Sequence, residues 1–147
     1  DADHAETLRL IADIGFSHAY AFKYSPRPGT PAWARDGHVP ERVKGERLAG
    51  LQQLLDEQQR AFNHACVGTR LSVILERRGK HPGQIAGRSP YMQSVHVEGS
   101  PRLLGQTVAV DITHAHPSSL HGTVATATWE SGPNGVHARI PEERAAV

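Results

Sequence analysis

A single cysteine, Cys66, excludes an internal disulfide and any metal centre built from several thiolates of this chain. Long apolar runs are also missing, so no stretch has the makings of a membrane-spanning helix. Residues 1–12 contain no basic segment followed by an apolar core, and the expected location is cytoplasmic, away from membranes. Aromatic side chains are sparse at 5%, and the hydrophobic share is a modest 38%. With 147 residues, this suits one ordinary domain or two small ones.

Neither sign of charge dominates overall, since the formal net charge is +1. That total hides a division. Residues 1–65 hold eight Lys/Arg against nine Asp/Glu, whereas residues 66–128 hold six against three. Five of the ten histidines also fall in the second segment. A mildly basic module beside a near-neutral one fits a phosphate-bearing partner.

Along the chain, Ala5, Leu8, Ile11 and Ala12 form one helical stripe, with Asp3 as the expected N-cap, Glu6 three residues on and Gly15 as the stop. An almost uniformly apolar run at 17–24 is expected to be a strand. Helix followed by apolar strand is the rhythm of a parallel α/β unit, and one such unit cannot bury both faces of its strand. The chain is therefore expected to be part of something larger. Pro40 and Glu41 open a long helix to about residue 64, striped by Val43, Leu48, Leu51, Leu54, Leu55 and Phe62. Gly45 and Gly50 weaken its first half, so this helix is expected to act as a connector held by packing. From Val67 the texture changes to short runs between glycines and prolines. Strands are expected at 69–77, 84–87, 93–97, 106–113 and 120–129, which predicts a small barrel of the OB type. The tail 129–147 is expected to be disordered.

Residues 22–33 read FKYSPRPGTPAW. Pro26, Pro28 and Pro31 fix three φ angles around Arg27 and Thr30, a stiffening suited to presenting one side chain in one orientation. This stretch, the VP…VK…ERL helix, GRSPYMQSVHV and SLHG together resemble the C-terminal part of the MiaB-type tRNA methylthiotransferases, over about residues 5–125. The ordered pair S-P-R-P-G-T-P and G-R-S-P-Y is more specific than either segment alone. Ribosomal-protein and threonylcarbamoyl-adenosine methylthiotransferases share the architecture, and their segments resemble 25–31 and 87–91 less well.

The resemblance implies an α+β chain in three parts. Residues 1–39 would be the terminal helix and strand of a radical S-adenosylmethionine (SAM) half-barrel, 40–65 a linker helix, and 66–128 a five-stranded antiparallel OB-like TRAM barrel. It further implies a parent enzyme that uses two 4Fe–4S clusters and SAM to methylthiolate carbon 2 of isopentenyladenosine beside the anticodon. Its partners would be the tRNA anticodon stem-loop and the parent's N-terminal and radical SAM domains. The CxxxCxxC motif that such a cluster needs is absent here, so this chain is expected to bind no cofactor, to carry no catalytic residue and to be inactive alone.

Within that frame, Arg27, with Thr30 and Tyr24, is the expected contact for substrate phosphate or for the SAM carboxylate, because loops after strand C-termini form the active face of such barrels. The alternative is a solvated surface turn. In the barrel, Arg88, Ser89 and Tyr91 offer a cation, a hydroxyl and a ring to RNA, and Arg77, Arg78 and Lys80 a basic hairpin tip. His96 completes the RNA-contacting set. The bland alternatives are a turn-packing tyrosine and a soluble hairpin. His114 and His116 form an H-x-H pair with His121 close behind, but no carboxylate or thiolate completes a metal site, and RNA or solvent contact is preferred. Ser118 stands where the family often has asparagine before SL.G. Two rival roles remain for the chain: a barrel serving mainly as a structural lid, or a parent acting on another tRNA base or a ribosomal protein.

Overall fold

The computed structural model describes residues 2–125, which fall into two units with the division between Gln58 and Gln59. The last expected strand beyond residue 125 and the tail 129–147 lie outside the described residues.

The first unit holds α1 (Ala2–Ile14) and residues 41–58 of α2 (Glu41–Ala65). Asp3 lies inside the first turn of α1 rather than capping it, and its carbonyl accepts from Thr7 Oγ1 at 2.8 Å. Gly15 ends the helix in the left-handed region, at φ +66°, donating its N–H back to the Ile11 carbonyl. Gln58 on α2 donates to that same carbonyl at 2.8 Å. On α2, the expected stripe Val43, Leu48, Leu51, Leu54 and Leu55 is half-buried.

The expected strand at 17–24 does not form. Residues 18–27 carry no strand pairing. A β-strand satisfies its backbone only against a neighbouring strand edge, and this unit offers helices alone. Tyr20 and Phe22 remain 79% and 83% exposed, so the apolar pattern of this run is unspent.

The second unit is a closed five-stranded barrel of β1 (Arg70–Arg78), β2 (Gln84–Arg88), β3 (Ser94–Glu98), β4 (Thr107–His116) and β5 (Ser119–Val124), ordered β1-β2-β3-β5-β4. The all-antiparallel expectation needs one correction, because β3 and β5 pair in parallel. Joining the third strand to the fifth is what lets the β4–β5 hairpin swing round and close the sheet on β1. Alternation fills the interior with Leu71, Val73, Leu75, Ile85, Val95, Val97, Val110, Ile112 and Leu120, each at most 2% exposed. Phe62 from the end of α2 packs against this core.

Two bulges interrupt the register, one between Leu75 and Arg77 and one between Ile112 and His114. At the first, Gly87 lies so close to β1 that an added Cβ would stand 2.1 Å from the Ile74 carbonyl oxygen. Glycine is required there by close backbone approach.

Candidate nucleic-acid interface

The β1–β2 hairpin tip is stiffened from within. Gly79 N–H donates to the Gln84 carbonyl at 2.7 Å, and Lys80 N–H to Gln84 Oε1 at 3.2 Å. These bonds spend backbone groups and leave the Arg77, Arg78 and Lys80 side chains exposed. Among the described residues, none of the three is ion-paired. Three free cations, two at the end of β1 and one in the turn that follows, can contact phosphates without first breaking an internal pair.

The turn 89–93 between β2 and β3 tells otherwise. Ser89 is only 4% exposed; its hydroxyl donates to Gln93 Oε1 at 2.8 Å and accepts the Tyr91 N–H at 3.2 Å. Tyr91 is half-buried and meets the Phe62 ring edge-on, with centroids 5.1 Å apart. Both residues serve the fold of the turn, the Ser89 hydroxyl through its bonds within it and the Tyr91 ring through its contact with Phe62. Arg88 is partly committed as well, donating to the Met92 carbonyl at 3.0 Å with Glu76 3.9 Å away. Met92 itself is 65% exposed and held at φ 62°, an uncommon region for a bulky side chain.

One buried polar side chain ties this turn to the rest of the unit. Asn63, 1% exposed near the end of α2, donates to the carbonyls of His116 at 3.0 Å and Pro117 at 3.3 Å. Its Oδ1 accepts from Gln93 Nε2 at 2.7 Å. The β2–β3 and β4–β5 turns are thus fixed by one amide. Cys66 joins the same cluster, 3.6 Å from Gln93 Nε2, and burial pushes its thiol up from the ordinary value while that contact opposes the shift. Asn63 and Gln93 are not conspicuous in the sequence, because an asparagine on a helix and a glutamine before a strand look like ordinary wet positions.

The outer face of the barrel carries histidines. Its pairing register runs Arg77, Ala86, His96, His121, His114 across β1, β2, β3, β5 and β4. The β4 bulge matters here. Ile112 points inward; without the extra residue His114 would follow it into the core, whereas after Thr113 it lies on the outer face beside His121, ring centroids 6.4 Å apart. His96 is half-buried; burial first, then Arg77, His121, His116 and His81, lower its pKa from the ordinary value.

In the first unit, the Thr30 hydroxyl donates to the Arg27 carbonyl at 2.8 Å and accepts from Trp33 N–H at 3.2 Å. It builds the turn that displays Arg27. Arg27 is exposed and has no ion-pair partner among the described residues. The Tyr24 ring lies beneath Lys44 Nζ, 5.8 Å away, and stacks on His38 at 6.2 Å. Arg27 and Thr30 share a shallow depression with Lys23, Tyr24 and Ser25.

Among the described residues, no group of three or more His, Cys, Asp or Glu is placed to hold a metal ion. None of the described helices is long and apolar enough to cross a membrane. Comparison with known families matches residues 64–125 to the TRAM domain. The barrel is therefore a TRAM small barrel, and this match points to RNA as its partner.

Proposed function

We propose that this chain is the C-terminal part of a MiaB-type tRNA methylthiotransferase, in which the TRAM barrel grips the tRNA anticodon arm for a radical SAM centre encoded elsewhere in the parent. The observation that carries the reading is the conjunction of the TRAM match at 64–125 with the S-P-R-P-G-T-P segment upstream in the same chain. The free cations of the β1–β2 tip supply the sequence-independent phosphate contacts that such a grip needs.

An iron–sulfur cluster is held by several thiolates. This chain has Cys66 alone, buried and with its thiol pushed toward the protonated form. Its residues do not fit a cluster, and no chemical step is assigned to it. Binding and positioning are its share of the work, with Arg27 presented toward substrate phosphate or the SAM carboxylate. Cytoplasmic tRNA is the partner in this reading.

The test is direct. The parent protein, reconstituted with iron and sulfide, is incubated with SAM and tRNA lacking the methylthio group, and digested nucleosides are weighed by mass spectrometry. A 2-methylthio isopentenyladenosine product supports the reading. Unchanged tRNA beside a methylthiolated ribosomal protein or another methylthiolated base overturns it.

A further inference from the structure

One row of the barrel's outer face places three imidazoles on successive strands, with an arginine on the strand beyond an intervening alanine. Arg77 pairs with Ala86, Ala86 with His96, His96 with His121, and His121 with His114. Neighbouring strands lie about 4.8 Å apart, so the row is a continuous band rather than a scatter of surface histidines. The β4 bulge is what brings His114 into it. Ala86 has no long side chain to interrupt the band, and its neighbours leave it 1% exposed. His96 Nδ1 is buried with no hydrogen-bond partner among the described residues, so any phosphate must meet this ring at its other edge.

We propose that the band formed by Arg77, His96, His121 and His114 is a phosphate-binding surface for RNA that strengthens as its imidazoles take up protons. The proposal rests on the RNA-binding reading above and adds the site and its proton dependence.

The surrounding charges favour this chemistry. His96 faces Arg77 from β1, His81 from the β1–β2 loop, His121 from β5 and His116 from β4, all cationic or able to become so. The nearby carboxylates are engaged or displaced along the strands. Asp111 is held by Arg70 at 2.6 and 2.9 Å, Glu76 stands 3.9 Å from Arg88, and Glu98 pairs with Gln84, two residues along β3 from His96. Arg77 and the neighbouring imidazoles therefore disfavour the protonated form of His96 when the surface is bare. A polyanion laid across the band removes that penalty, so RNA binding draws in protons and acidification favours the complex. The opposing neutral state makes the grip weaker above the ordinary histidine range. Metal capture by the same imidazoles is a different chemistry, and no three-ligand group among the described residues supports it.

The full chain is titrated into a fluorescent anticodon stem-loop RNA at constant ionic strength, at about pH 5.8 and about pH 7.8, on either side of the ordinary histidine range. The wild type should bind about tenfold tighter at the acidic pH, as expected for several imidazoles each gaining modestly from phosphate. The triple variant His96→Gln/His114→Gln/His121→Gln should bring that ratio close to unity. His121→Arg, which fixes one charge permanently, should raise affinity at the alkaline pH and flatten the dependence. Clear binding by the wild type with equal affinity at both pH values overturns this inference and leaves the RNA reading standing. An acid gain that persists undiminished in the triple variant also overturns it. Absence of binding at both pH values sinks the two together.

Discussion

Gln93 Nε2 donates to Asn63 Oδ1 across 2.7 Å, so that two buried amides join the end of α2 to the turn between β2 and β3. Because Asn63 also donates to the His116 and Pro117 carbonyls, its side chain organises two turns of the barrel at once. A buried donor or acceptor left without a partner costs about 1–3 kcal/mol. Asn63→Ala removes the Oδ1 acceptor of the buried Gln93 Nε2 and the donor to the His116 and Pro117 carbonyls. The variant should lose about 2–3 kcal/mol of stability, seen as a lower urea midpoint. A midpoint equal to that of the wild type would show that the network is ornamental.

Gly87→Ala should be comparably harmful for a different reason. The new methyl would sit 2.1 Å from the Ile74 carbonyl oxygen, and the obstacle is backbone that cannot swing aside. Overpacking of this kind costs about 1–3 kcal/mol, and the β1–β2 ladder must shift to relieve it. Thermal denaturation and amide exchange along β1 measure the effect. Unchanged protection of β1 amides would contradict the close approach.

Much of this barrel was legible in the sequence. Alternation at Leu71, Val73 and Leu75 and at Val110 and Ile112 was enough to place those side chains inside, because one face of each strand must be dry. The parallel β3–β5 pair was not legible, since strand direction is set by how the sheet closes and not by any local pattern. The run 17–24 misled for a related reason: apolar residues make a strand only where an edge exists to receive it. At the candidate interface, the exposure of Arg77, Arg78 and Lys80 could be expected from charge alone. The turn bonds of Ser89 and the Phe62 contact of Tyr91 were not foreseen, and the role of Asn63 depended on partners some fifty positions away. His114 reached the outer face through a bulge that no alternation rule foresees.

The pH dependence of stability carries its own signature. Burial, followed by Arg77, His121, His116 and His81, holds the His96 imidazole below its ordinary pKa of 6.5. The unfolded chain therefore takes up a proton that the folded barrel resists, so stability is full above about pH 6.5 and declines as the pH falls below it. His96→Gln should remove this part of the decline. Urea midpoints followed from neutral pH down to the onset of carboxylate titration will show it, and an unaltered slope in the variant would contradict the assignment.

In the methylthiotransferase proposed above, Arg27→Ala should lower methylthiolation by the equivalent of one charge-assisted hydrogen bond, about 1.5–3 kcal/mol, with the cluster absorbance of that proposed enzyme unchanged. The turn itself should persist, because Thr30 bonds the Arg27 carbonyl and not its side chain. Turnover at the wild-type rate would remove Arg27 from the reaction centre.

The central claim is that the barrel holds RNA through its free cations. The decisive measurement is the affinity of the full chain for an anticodon stem-loop at rising salt, for wild type and for Arg77→Gln/Lys80→Gln. The predicted result is a linear fall of log K with log salt, with the slope reduced by about two in the double variant, one for each phosphate no longer neutralised. Salt-independent binding, or a slope identical in the two proteins, would contradict it.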